Sequence, residues 1–194
     1  MVKLTSTSPL EARVVTDKIV YQSRVIDIEV VSDYGLIRLQ LFSRGADLTE
    51  TLSETLKLVL PENGCIQSSD DNTLFWSAPS EWVIATNRDT EEELAKNLSK
   101  RLVNSSSAAT VITDSRIVLR LYGPLARQLL SKGSAVDFHP SVFKMGNCVT
   151  TKFAQIPIMI VQLNEDDEFL LFADRSLAAY LLDWLIDAAE EFED

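Results

Sequence analysis

One short stretch of this chain comes round twice. Glu81-Trp82-Val83-Ile84, followed by a charged amphipathic segment, aligns with Glu168-Phe169-Leu170-Leu171 when the sequence is shifted by 87 places. The same shift matches Arg88 with Arg175, Leu94 with Leu181 and Leu98 with Leu185. A strand leading into an amphipathic helix, met once in each half, restricts the chain to an α+β fold in which both halves bring sheet and helix to a core. The match points to an internal duplication; the competing explanation is that any strand followed by an amphipathic helix shares apolar positions.

The rest of the chain fits that frame. Arg24 to Val30 alternates polar and apolar residues and Leu36 to Leu41 nearly does, as half-buried strands do, with Asp33-Tyr34-Gly35 as the turn between them. Leu48, Leu52, Leu56 and Leu60 recur every four residues and predict a helix over 46–60, closed by Pro61. Strands are expected at 72–76 and 81–85. Asp89 or Thr90 is the candidate cap of a helix with Glu91, Glu92 and Glu93 at its start and Lys100 and Arg101 at its end, charges that suit the helix dipole. Asn104-Ser105-Ser106-Ser107 reads as a linker. In the second half a strand at 117–121 passes through Gly123-Pro124 into a helix over 125–131, with Pro124 at its first position and Gly133 ending it. Strands near 149–153, 156–163 and 168–172 follow, then a helix over about 176–190. The expected organisation is a single domain over 1–194, built of two similar halves (about 13–103 and 108–192) behind an extended N-terminal arm, 1–12.

Charge narrows the function. The chain carries 18 basic and 29 acidic residues, a net −11, divided −5 and −6 on either side of Ser107. Nucleic-acid affinity comes largely from Lys and Arg on phosphates, and neither half is basic, so nucleic acid is not an expected partner. Apolar runs such as Ile158-Met159-Ile160-Val161 are far short of the roughly 20 residues a membrane helix needs. Met1 to Ser6 has no apolar signal core, so the expected location is the cytoplasm. Cys65 and Cys148, 83 places apart, match neither a disulfide framework nor metal-ligand spacing and are expected as buried free thiols.

Catalytic patterns are missing. The one histidine, His139, lies in Asp137-Phe138-His139-Pro140, a loop context with no evident orienting partner. Glu165-Asp166-Asp167-Glu168 lacks the spaced ligands and glycine of a calcium loop, there is no His/Cys cluster for zinc, and the six glycines build no phosphate loop or dinucleotide fingerprint. The expected site residues are therefore none for catalysis, cofactor or metal. Trp76 and Trp82 can line a flat aromatic ligand, but at strand positions they read first as core. Leu177, Tyr180, Leu181, Trp184, Leu185 and Ala188 define one helix face, for core packing or for docking on another subunit. The acids from Glu190 to Asp194 oppose the dipole at a helix end, which is expected to fray or to meet a basic partner.

A family resemblance emerges in the second half. Asp114-Ser115, the run from Val118 through Gly123-Pro124-Leu125-Ala126-Arg127 to Leu130, Lys132-Gly133 and Asp137 resembles the gamma subunit of heterotetrameric sarcosine oxidase. Pro140, Phe143, Gly146, Cys148 and Thr150 continue the series, as do Arg175 to Leu185 and, in the first half, Trp76 with Pro79-Ser80-Glu81-Trp82. The resemblance spans about residues 74–190 and implies a fold similar to the folate-binding (aminomethyltransferase-like) domain of glycine-cleavage T protein: α+β, in duplicated mixed sheet/helix units. It implies an assembly with alpha, beta and delta subunits that oxidises sarcosine to glycine, yields hydrogen peroxide and passes the one-carbon unit to tetrahydrofolate. FAD, FMN, NAD, tetrahydrofolate and zinc are implied for the other subunits, leaving this one a non-catalytic structural role. The alternatives are a folate- or pterin-binding module with Trp76, Trp82 or Arg175 near the ligand, and a subunit serving the oxidation of another N-methylated amine.

Overall fold

A computed structural model describes residues 8–42, 46–103 and 106–192. The strands, in chain order, are β1 (Ile19–Gln22), β2 (Asp27–Val31), β3 (Tyr34–Leu41), β4 (Ile66–Ser68), β5 (Thr73–Ala78), β6 (Glu81–Asn87), β7 (Ser107–Val111), β8 (Arg116–Tyr122), β9 (Cys148–Phe153), β10 (Ile156–Gln162) and β11 (Phe169–Asp174). The helices are α1 (Ala46–Leu56), α2 (Glu91–Arg101), α3 (Ala126–Gly133) and α4 (Ala178–Glu190). They form two compact units. One holds Asp33–Thr113 with Gly146–Thr150; the other holds the described residues of Met1–Ser32, Asp114–Met145 and Thr151–Asp194. The units do not follow the chain's halves, because β2 from the first half pairs with β8 of the second.

The first of these units is a five-stranded antiparallel sheet in the order β4-β5-β6-β3-β7. Alternation sends Ile37, Leu39, Leu41, Leu74, Trp82 and Ile84 to one face, where Leu52 and Leu56 of α1 and Ala95 and Leu98 of α2 bury them. α1 stops at Leu56, short of Pro61, because Lys57 turns to a left-handed φ of 55°. Leu58 still reaches this core from outside the helix, while the side chain of Leu48 lies outside the described residues. Neither Asp89 nor Thr90 caps α2 by its side chain. Asn87 organises the entry instead, accepting the Asp89 N–H on its side chain and the Thr90 hydroxyl on its carbonyl. Of the expected linker, 104 and 105 lie outside the described residues and Ser107 opens β7.

The other unit is a six-stranded sheet in the order β1-β2-β8-β11-β10-β9. β1 was not foreseen. The N-terminal segment is folded from Ser8 onward rather than extended: Leu10 is fully buried, Glu11–Arg13 makes a 3-10 turn, and Arg13 pairs with Asp183 of α4 at 2.7 Å. The earlier part of the expected arm lies outside the described residues. Pro124 precedes α3 by two places rather than occupying its first turn, and Gly133 is its last helical residue. A glycine is needed there for space, since a Cβ would come within 2.5 Å of the Phe153 ring. α4 buries Ala178, Leu181, Leu182, Leu185, Ala188 and Ala189. The expected stripe is thus rotated, leaving Tyr180 45% exposed and Trp184 half-buried with Phe153 edge-on at 4.9 Å. Its acidic end meets a cation of the chain itself: Lys132 donates to the Ala188 carbonyl and pairs with Glu191, both at 2.8 Å, against the dipole's negative end.

Arg127, in the first turn of α3, is the polar anchor of this unit. Its side chain is 11% exposed, pairs with Asp167 at 2.5 Å and donates to the carbonyls of Phe138 at 2.6 Å and Phe143 at 2.9 Å. The guanidinium also lies 5.3 Å from the Phe169 ring centre, so one fork ties the 138–143 loop to the β10–β11 turn. Replacing it strands a carboxylate and two carbonyls. Arg127→Ala is expected to lower the unfolding free energy by roughly 3 kcal/mol, and Arg127→Lys to recover less than half of that, in urea titrations followed by circular dichroism.

Candidate functional site

A hollow of about 520 Å³ lies in the five-stranded unit, between the turn after β4 and the start of α2. Asp70, Asp71, Asn72, Asn87, Glu93 and Asn97 line it together with Thr86, Thr90 and Leu94. The lining includes carboxylates and amides and no Lys or Arg, so it disfavours anions such as phosphates and carboxylates. A second hollow, about 500 Å³, is bounded by Leu60, Pro61, Glu62, Asn63 and Trp82. Trp82 is only 1% exposed and presents almost no ring surface there.

Trp76 and Trp82 are brought together as directly opposed partners on β5 and β6. Trp82 belongs to the core and Trp76 packs on that core from its edge. Arg175 lies in the other unit, at the head of the 3-10 turn Arg175–Leu177 that leads into α4. Beside the tryptophans, the Cys148 thiol donates to the carbonyls of Cys65 and Trp76, each at 3.2 Å. Burial pushes its pKa up to about 12, so it stays a thiol rather than a nucleophilic thiolate at neutral pH. Both cysteines are free, Cys148 buried and Cys65 half-buried.

Several titratable groups of the six-stranded unit are held in pairs. Arg120 of β8 donates to Glu168 at 2.6 Å and reaches Glu29 of β2 at 3.4 Å, while the Tyr122 hydroxyl donates to Glu29 at 2.7 Å. The Arg120 hydrogen bond, helped by one from Asn164, holds Glu168 below the usual glutamate range; burial and the bond to Glu29 push the Tyr122 phenol up. Neither group is poised near neutral pH to exchange a proton. His139 is exposed, its Nδ1 lying 2.7 Å from the Ser141 hydroxyl and accepting the Ser141 N–H at 3.2 Å. Asp137 accepts the His139 backbone N–H, not the ring, so this arrangement closes a turn and orients no base. Among the described residues no three His, Cys, Asp or Glu side chains are grouped to hold a metal ion, and no helix is long and apolar enough to cross a membrane.

Sequence reading did not anticipate the roles of Arg120, Glu29 and Arg127. The usable signal was charge at positions of otherwise apolar strands, Glu29 within Ile28 to Val31 and Arg120 within Ile117 to Leu121. These groups join segments 91 and 48 places apart, which no local pattern reveals.

Comparison with known proteins agrees with this description. Residues 45–191 match the family described as sarcosine oxidase, gamma subunit family. A sarcosine oxidase subunit gamma from Corynebacterium sp. (strain P-1) is 30% identical over 143 residues, which is 73% of this chain and 69% of that protein. A chain of heterotetrameric sarcosine oxidase from Corynebacterium sp. U-96, solved with pyrrole 2-carboxylate, has the same fold: TM-score 0.80 at 24% identity, covering 95% of this chain and 91% of that one. The glycine cleavage system aminomethyltransferase T from Bartonella henselae shares the fold at TM-score 0.62 and 17% identity, over 84% of this chain and 45% of its own.

Because Glu168 has a lowered pKa in the fold, its contribution to stability is complete above the ordinary glutamate pKa and is lost as pH falls through the folded value. The urea midpoint is therefore expected to fall on acidification below about pH 4.5, and Glu168→Gln to flatten that part of the pH profile while lowering the midpoint at pH 7.

Proposed function

The chain belongs to the sarcosine oxidase gamma subunit family, and from that premise we propose that it is a non-catalytic structural subunit of a cytoplasmic, heterotetrameric sarcosine oxidase. In this reading the alpha, beta and delta subunits hold FAD, FMN, NAD and zinc and receive tetrahydrofolate, and their joint reaction converts sarcosine, oxygen and tetrahydrofolate to glycine, hydrogen peroxide and methylenetetrahydrofolate. The family match over residues 45–191 carries the proposal. The state of the chemical groups supports it: Cys148 is kept protonated, Tyr122 and Glu168 are tied to partners, and His139 is spent on a turn.

Retention of a pterin pocket is the competing reading, and the packing speaks against it. Trp82 is core, its neighbour Trp76 is packed against that core, and the 520 Å³ hollow is lined by carboxylates that would repel the glutamate tail of a folate.

Coexpression with the other three subunits is expected to yield one stoichiometric complex on size exclusion; recovery of this chain alone would overturn the subunit reading. In that complex His139→Ala and Tyr122→Phe are expected to leave kcat for sarcosine within about twofold of the parent, and a loss of more than about a hundredfold would restore a catalytic role. Calorimetry of the isolated chain with millimolar tetrahydrofolate is expected to show no binding heat.

A further inference from the structure

The two sheets repeat one strand order and differ at a single edge. Read outward from the meander, one runs β9-β10-β11-β8-β2 and the other β4-β5-β6-β3-β7. The correspondence holds in register. The 87-place shift carries Ile84 onto Leu171, whose partners are Ile37 and Leu119. On the far side those two face Val111 and Val30. By the same route Ala109 corresponds to Ile28, through Leu39 and Leu121. β2 is then covered by a further strand, β1, whereas β7 ends its sheet.

The backbone at that edge is set for pairing. Ladder bonds from Phe42 N–H to the Ser106 carbonyl and from Ile112 N–H to the Leu36 carbonyl fix the alternation, so Ala108 and Thr110 bond to β3 while Ala109 and Val111 turn their N–H and C=O groups outward. At the corresponding place Val30 donates its outward N–H to the Lys18 carbonyl at 2.8 Å. Ile28 and Val30 are consequently 0% and 5% exposed, while every residue of β7 remains at least partly exposed.

Exposed edges ordinarily carry a charge, a proline or a bulge, or are very short. β4 has three residues and β9 carries Lys152, but β7 is the uncharged Ser-Ala-Ala-Thr-Val in unbroken register. Near its first residue Phe42 is 70% and Val103 74% exposed, an apolar surround suited to a covering segment. A second copy of this chain is a poor occupant, since two bodies of net charge −11 repel.

We propose that the outer edge of β7 receives an extended segment of another subunit of the assembly, which adds as a sixth strand through the backbone of Ala109 and Val111 and covers Phe42 and Val103. The occupant rests on the subunit reading above; the edge itself does not. The segment is uncharged or basic and pairs by main-chain hydrogen bonds.

Hydrogen exchange on the full-length chain, free and in the purified complex, tests this. The amides of Ala109 and Val111 are expected to exchange at least about tenfold more slowly in the complex. Equal rates in an intact complex overturn the strand addition and leave the subunit reading standing, whereas failure to form any complex removes both. Protection that appears in the free chain with rising concentration and a dimer mass identifies a second copy as occupant and overturns the proposal. Ala109→Pro removes an outward N–H without a bond to β3, and is expected to weaken assembly at least about tenfold while leaving the free chain folded by circular dichroism. Assembly of folded Ala109→Pro at the parental affinity also overturns it, and if the variant does not fold, exchange in the parent decides.

Discussion

Strand β8 joins β2 to β11, and Arg120 is the side chain that fastens both neighbours to it. Backbone ladders alone do not choose a register; a slip by one residue would exchange every side chain between the two faces of the sheet. Leu119 and Leu121, fully buried, resist that slip from one face. Arg120 resists it from the other, because only the observed register sets it beside Glu29 and within reach of Glu168. The ion pairs are partly exposed and individually worth little, so their effect lies in specifying the pairing more than in its strength. Through this junction the N-terminal strands β1 and β2 become part of a sheet otherwise drawn from the second half.

Local order was legible in the sequence where the physics is local. The alternation of Leu36 to Leu41 and the strand-helix pairs at 81–101 and 168–190 reproduce β3, β6 with α2, and β11 with α4 to within a few residues. The failures have identifiable causes. β7 is built of small residues whose strand character comes from lying against β3, so Ser107 read as linker. α1 ends at a left-handed lysine that no propensity marks, and Gly133 serves the Phe153 ring rather than a helix cap. The association of β1 and β2 with β8 depends on partners some ninety places away in sequence, beyond any window of local pattern.

The site shows the same division. That Trp82 is core followed from its strand position, and the burial agrees. The condition of Cys148, Tyr122 and Glu168 did not follow from spacing, because it is set by burial in the fold and by a carboxylate and a guanidinium contributed from other segments. A proton donor or acceptor useful near neutral pH needs its equilibrium moved toward 7; burial moves Cys148 and Tyr122 away from it, and the Arg120 hydrogen bond moves Glu168 away from it. Their environment favours a fixed charge state near neutral pH.

The repeated strand order also separates what is intrinsic to each unit from what the chain's path imposes. The strands of the five-stranded sheet all fall within residues 33–113, with β4, β5 and β6 consecutive in the chain and β3 reaching β6 and β7 across longer stretches. Completing the other sheet requires β2 to close on β8 across a stretch somewhat longer than that between β3 and β7, an ordering cost that grows only slowly with length. Leu10, fully buried, and the Arg13–Asp183 pair add burial and charge contact to the same closure, fastening the N-terminal segment to α4 as well as to the sheet edge. The segment that covers β2 is therefore held at several points, which is how a short strand such as β1 remains in place where its hydrogen bonds alone would be marginal.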